Sequence, residues 1–127
     1  MARTLPTFPL HPPPLDCDVL VFRAIRKGWI DAETGDISSE AFMLREIDNG
    51  HLSVAPNPDR ARDVIKNCAA VRSLLTGKVR DNNLDVIVDT PHHASIQGWN
   101  DINDRCEAEE VATRLIRISR TTNDNYS

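Results

Sequence analysis

Cysteine is scarce and never paired in this chain. Cys17, Cys68 and Cys106 are the three present, and none forms a CxxC. That excludes a locally built zinc knuckle or thioredoxin-type redox site. Scattered thiols fit a reducing compartment, so the expected localisation is cytoplasmic. Aromatic residues make up 5% of the chain, so a core has to be aliphatic. Apolar runs such as Val19-Leu20-Val21-Phe22 fall far short of the ~20 residues that span a bilayer. Nothing from Met1 to Pro14 reads as a secretory leader. GxSxG, HExxH and GxxxxGK[ST] are missing too, which removes motif support for an enzyme. A triad is assembled in space, so this absence does not exclude one. Positive charge is not in excess either. The formal net charge is -4, which argues against nucleic acid or an anionic membrane as partner.

What is present is the composition of an ordinary folded chain: 127 residues, 40% hydrophobic and 27% charged. This is the size of one domain that can stand without disulfides or metals. Residues 1–15 carry Pro6, Pro9 and Pro12-Pro13-Pro14, and read as an extended proline-rich arm. An SH3-like groove could take such a segment, but a plain surface arm is the favoured reading. Residues 16–120 are expected to form the α+β domain, and 121–127 a polar, flexible tail.

Within that domain, Asp18 to Ile25 predicts a strand. Trp29-Ile30 faces Ile37 across a turn at Glu33-Thr34-Gly35-Asp36. Ser38-Ser39-Glu40-Ala41-Phe42 suits one serine-capped helical turn. Asn49-Gly50 carries the type I′ signature and predicts a hairpin between Phe42–Asp48 and His51–Ala55. Asn57-Pro58-Asp59 starts an amphipathic helix of about three turns with Ala61, Val64, Ile65 and Cys68 on one face. Val71–Leu75, Leu84–Val88 and His93–Gln97 read as strands, with a break at Thr76-Gly77 and a bend at Gly98. The last helix opens on Asp104 and Glu107 and ends among Arg114, Arg117 and Arg120, with Val111, Leu115 and Ile118 as its buried stripe. The whole predicts an α+β fold: a mixed, mostly antiparallel sheet with two amphipathic helices.

Few residues stand out chemically. His92-His93 follows Pro91, and two imidazoles invite a metal or a general base. Neighbours in a strand point to opposite faces, so both cannot serve one site there. A further ligand would have to come from His51, Asp85 or Asp89, and no metal or cofactor is expected. His93 as a general base needs a partner, and the local sequence offers none. Arginines cluster at Arg23, Arg26 and Lys27, at Arg60, Arg62 and Lys66, and at Arg114, Arg117 and Arg120. Arg23 lies inside a strand, where a charge has to be paired or at an edge. It either anchors an anion or forms a structural ion pair, and the ion pair is favoured. Of the two tryptophans, Trp29 suits a core edge and Trp99, after Gly98, is the one expected at an exposed interface.

Phe22-Arg23-Ala24-Ile25, Trp29-Ile30, Ile37-Ser38-Ser39 with Ala41-Phe42, Leu52-Ser53-Val54 and His93-Ala94-Ser95-Ile96 together resemble a group of small uncharacterised bacterial proteins. The resemblance implies a bacterial cytoplasmic origin and no known cofactor. It carries over no functional residue, although its fragments include Arg23, Ser53 and His93. Two functional expectations follow. The first is a non-enzymatic accessory protein that binds a protein partner through Arg23, Trp99 and His93. The alternative is a small transferase or hydrolase acting on a phosphorylated or nucleotide-like substrate. There Arg23 holds the anion, His93 moves a proton and Ser53 donates a hydrogen bond.

Overall fold

The computed structural model describes residues 15–45, 48–65, 67–91 and 93–122. The proline-rich arm before residue 15, His92 of the His92-His93 pair and most of the polar tail lie outside that description. Alternating apolar residues build six strands: β1 (Leu20–Arg26), β2 (Leu52–Val54), β3 (Cys68–Leu75), β4 (Asp85–Thr90), β5 (His93–Gln97) and β6 (Arg120–Thr121). Three helices join them: α1 (Pro58–Val64), α2 (Thr76–Asp81) and α3 (Arg105–Ile118). The fold is α+β, and every strand pairing is antiparallel. The strands form two three-stranded sheets rather than one, in the orders β1-β3-β6 and β2-β5-β4. One bridge connects them. Phe22 N–H donates to Ala55 at 2.9 Å, and Ala55 N–H returns to Phe22 at 2.8 Å.

Alternation sorts the side chains into two apolar clusters. Val21 and Ile25 of β1 join Leu74, Leu52, Val54, Val86, Ala94 and Ile96 in the main core, which α3 closes with Ala108, Val111, Ala112 and Leu115. Phe22 and Ala24 point the other way and pack with Ala55, Val71 and Ala61 of α1.

Local signals place most elements. Ile30 bridges Ile37 across the expected turn, where Gly35 has φ 76°. Ser38 Oγ accepts from Glu40 N–H at 3.2 Å and caps a 3-10 turn over Ser39–Phe42. Asn57 Oδ1 accepts from Arg60 N–H at 2.9 Å, with Pro58 as the first residue of α1. That helix stops at Val64, shorter than its apolar pattern suggested, because Ile65 is already extended and Cys68 opens β3. Asp104 Oδ1 caps α3 by accepting from Cys106 and Glu107 N–H at 2.9 and 3.1 Å. Glu107 does not complete a capping box on Asp104. Its carboxylate reaches further back, to the N–H groups of Asn100 and Asp101 at 3.0 and 2.8 Å.

Three features differ from the sequence reading. Asn49 and Gly50 do take positive φ, 53° and 83°. Yet residues 42–45 form no strand, and β2 pairs instead with β5. Thr76-Gly77 breaks β3 but starts α2, a helix held by tertiary bonds: Thr76 Oγ1 donates to the Val19 carbonyl at 2.8 Å, and Gly77 N–H to that of Cys17 at 2.9 Å. Finally, Arg120, expected at the end of the last helix, and Thr121, expected to open the tail, pair with Ser73 and Arg72 of β3. No helix among the described residues is long and apolar enough to cross a membrane.

Two measurements test these local bonds. Asp104→Ala removes both capping acceptors of α3 and is expected to lower stability by about 1–2 kcal/mol in urea titration. The Asp31 carboxylate accepts from Thr34 and Glu33 N–H at 2.9 and 2.8 Å, which holds its pKa below the ordinary carboxylate value. A depressed folded-state pKa means stability that is present above the ordinary value and lost as pH falls through the folded one. Asp31→Asn should therefore lower Tm at neutral pH, and the gap to the wild type should close in strong acid.

Candidate functional site

The outer face of β2-β5-β4 is polar. Leu52, Val54, Ala94, Ile96 and Val86 point into the core, so Ser53, His93 and Ser95 face the other way. Ser53 and Ser95 are cross-strand partners, and His93 stands one pleat along β5. Ser53 Oγ lies 2.7 Å from His93 Nε2, and His93 Nδ1 lies 2.8 Å from Asp89 Oδ2. A carboxylate only accepts, so Nδ1 of the neutral ring carries the proton and Nε2 is left to accept from the Ser53 hydroxyl. Three adjacent strands each supply one member of this chain.

Alternation along β4 leaves Asp89 on the outer face with Ile87, the partner of Ser95, and so on the side of His93. The ladder slips just there, between Val88 and Thr90, with Asp89 as the extra residue. Its other oxygen, Oδ1, accepts from the buried Ser95 hydroxyl at 3.4 Å, and Ser95 Oγ accepts from Gln97 Nε2 at 2.9 Å. The carboxylate is thus held from two sides. The site is open: the His93 and Asp89 side chains are 39% and 30% exposed. Asp89 is the residue that sequence reasoning passed over as a partner for His93. An aspartate four positions before a histidine, across a Thr-Pro turn, was the available signal.

Arg23 lies in β1, a strand of the other sheet. It shares a strand face with Val21 and Ile25, and its guanidinium lies 5.9 Å from the Trp29 ring centre and 6.0 Å from that of Phe42. Nε donates to the Ala41 carbonyl at 2.6 Å and Nη1 to the Ser53 carbonyl at 2.7 Å. Among the described residues no carboxylate forms an ion pair with it, so the expected ion pair is replaced by carbonyl acceptors. Burial pushes its pKa down to about 10, with the Asp48 charge opposing and those of Arg45 and Arg26 adding to the shift. It remains protonated at neutral pH. The structure brings Ser53 and His93 together directly and ties Arg23 to Ser53 through the backbone alone.

Compared with protein-family models, with curated proteins and with solved structures, the chain matches none.

Trp99 is 8% exposed and belongs to the main core. This overturns the expectation that it stands at the surface: Gly98, at φ 126°, turns the chain inward against Leu84. Trp29 lies at the core edge as expected. No group of three or more His, Cys, Asp or Glu side chains that could hold a metal ion occurs among the described residues. Arg23→Lys should be destabilising despite the conserved charge. One ammonium cannot reproduce a fork that serves two carbonyls while stacked on an indole. The expected loss is about 2–3 kcal/mol by chemical denaturation, since each bond from a charged donor is worth ~1.5–3 kcal/mol.

Proposed function

We propose that this chain is a small serine-dependent hydrolase or transferase in which Ser53 is the nucleophile, His93 the general base and Asp89 the residue that orients it. The supporting observation is the continuous Ser53–His93–Asp89 hydrogen-bond chain, with the base using Nε2 toward the serine and Nδ1 toward the carboxylate. That division of the two nitrogens is what nucleophile activation requires. In the reaction, a bond forms between Ser53 Oγ and the electrophilic centre of an ester. Nε2 takes the hydroxyl proton and delivers it to the leaving oxygen as that bond breaks. Water, or an acceptor hydroxyl, then attacks the covalent intermediate, with His93 again taking the proton, and Ser53 is regenerated. Asp89 stays ionised throughout and stabilises the imidazolium.

The free thiols of Cys17, Cys68 and Cys106 suit cytoplasmic work. The competing reading is a non-enzymatic accessory protein held by a protein partner. It loses Trp99 as an anchor and keeps Val64, 62% exposed, and Ile87 as apolar contact points.

A fluorophosphonate probe decides between them. The wild-type chain should be labelled at Ser53, as read by mass spectrometry of the peptide. Ser53→Ala should abolish labelling with unchanged circular dichroism. His93→Ala should slow it by at least ~100-fold, the lower end of what a positioned base contributes. Absence of labelling in the folded wild type, or labelling that persists in Ser53→Ala, overturns the proposal.

A further inference from the structure

Ser53 also borders a cavity of about 210 Å³ whose polar walls are Arg23, Arg26, Arg45 and Asp48, with Trp29 at one side. The cavity sits at the junction of the two sheets, where β1 and the segment after β2 bridge. Charge in it is unbalanced. Asp48 is committed to Arg45, accepting from its backbone N–H at 2.7 Å and standing 3.4 Å from its Nη2. The Arg23 guanidinium is held by carbonyl oxygens, which leave its charge uncompensated. Arg26 lies over the Trp29 ring at 5.4 Å and has no hydrogen bond or ion pair among the described residues. A guanidinium positioned by an indole and keeping its N–H groups unspent is a preorganised anion receptor. Burial is the main cause of the lowered pKa of Arg23; the Asp48 charge opposes it, and those of Arg45 and Arg26 add to it.

We infer that this cavity takes the phosphate group of a small phosphorylated ester, held by Arg26 and Arg45 beside Ser53. The inference rests on the Ser53 reading and gives it a substrate class. Arg23 was the residue expected to hold an anion, but its Nε and Nη1 are spent on carbonyls, so it supplies charge and Arg26 supplies hydrogen bonds. A phosphate dianion suits this cluster of guanidiniums better than a carboxylate does, because Arg26, with its N–H groups unspent, can offer it a two-pronged contact. The cavity is smaller than the ~300–1,000 Å³ usual for drug-sized ligands, which fits a single phosphate-bearing group.

The test uses the full chain, with inorganic phosphate as probe and acetate as control at equal ionic strength. Phosphate at about ten times its dissociation constant should raise Tm by ~4 °C, and acetate should not. Arg26→Gln with Arg45→Gln should lose the shift. If that pair fails to fold by circular dichroism, Arg26→Gln alone should reduce it several-fold. Equal effects of phosphate and acetate, or a full shift in the arginine variant, overturn the inference. Ser53→Ala should keep the shift. Phosphate should also protect Ser53 from the fluorophosphonate in the wild type. Labelling without protection sinks the substrate class and leaves the nucleophile standing, and a phosphate shift without labelling does the reverse.

Discussion

Two hydrogen bonds between Phe22 and Ala55 determine how the rest of the molecule can be arranged. They join sheets that otherwise have no common ladder, and they set which face of each strand becomes interior. With Phe22 and Ala55 paired, Val21 and Ile25 turn toward Leu52 and Val54, and the main core closes under α3. Phe22 and Ala24 turn outward and require α1 as a lid, with Ala61 as the residue that touches them. The same constraint fixes the site. Ser53 lies two residues before Ala55, so its side chain emerges on the outer face, away from the core.

The junction carries an electrostatic burden. Arg23 of β1 and Arg72 of β3 are direct cross-strand partners, an arrangement that costs energy when two like charges face each other on one sheet. Each is relieved by neutral oxygens rather than by carboxylates. Arg23 uses Ala41 and Ser53, while Arg72 uses the Ser119 hydroxyl, the Ser119 carbonyl and the Thr121 hydroxyl, at 2.9, 2.9 and 2.6 Å. Burial lowers both pKa values. These arginines act as cross-links. Arg23 ties the 3-10 turn ending at Phe42 and strand β2 to β1, and Arg72 ties the end of α3 to β3. Carbonyl oxygens do not cancel their charge, and around Arg23 the Asp48 charge opposes those of Arg45 and Arg26.

The elements that sequence made legible are those set by local chemistry. Asn57-Pro58 and Asp104 announce α1 and α3 because a cap needs a side chain within three residues of the amides it serves. β1, β4 and β5 follow from their apolar runs. What was hidden depends on partners remote in sequence. Asn49-Gly50 has the turn conformation expected of it, yet β2 prefers β5, whose Ala94 and Ile96 complete the core face of Leu52 and Val54. Helix α2 is held by carbonyls of Cys17 and Val19, which no window around Thr76-Gly77 contains. The exposure of Trp99 was misjudged for a similar reason: a glycine at positive φ permits a bend either toward solvent or into the core, and only the position of Leu84 decides. At the site, Arg23, Ser53 and His93 were visible as residues, and the link between Ser53 and His93 was an expectation about space. Asp89 was visible only as a possible ligand: alternation puts it on the outer face with Ile87, but that β4 pairs with β5 and brings it to His93 is a property of the β4–β5 ladder.

In the proposed mechanism the nucleophile sits in a regular strand. A nucleophile elbow exposes its serine through backbone strain at a sharp turn. In this chain Ser53 keeps ordinary strand geometry, and the irregularity is moved to Asp89, on an edge strand where an extra residue disturbs only one ladder. The histidine stands on the central strand β5, the most constrained of the three, so both of its neighbours are brought to it. Ser95 and Gln97, on that same strand and face, hold the carboxylate from behind and leave Asp89 Oδ2 aimed at the ring. Geometry carried on strands and supported by buried hydrogen bonds is the kind that persists without a ligand, and it makes the Ser53–His93 hydrogen bond a property of the resting fold.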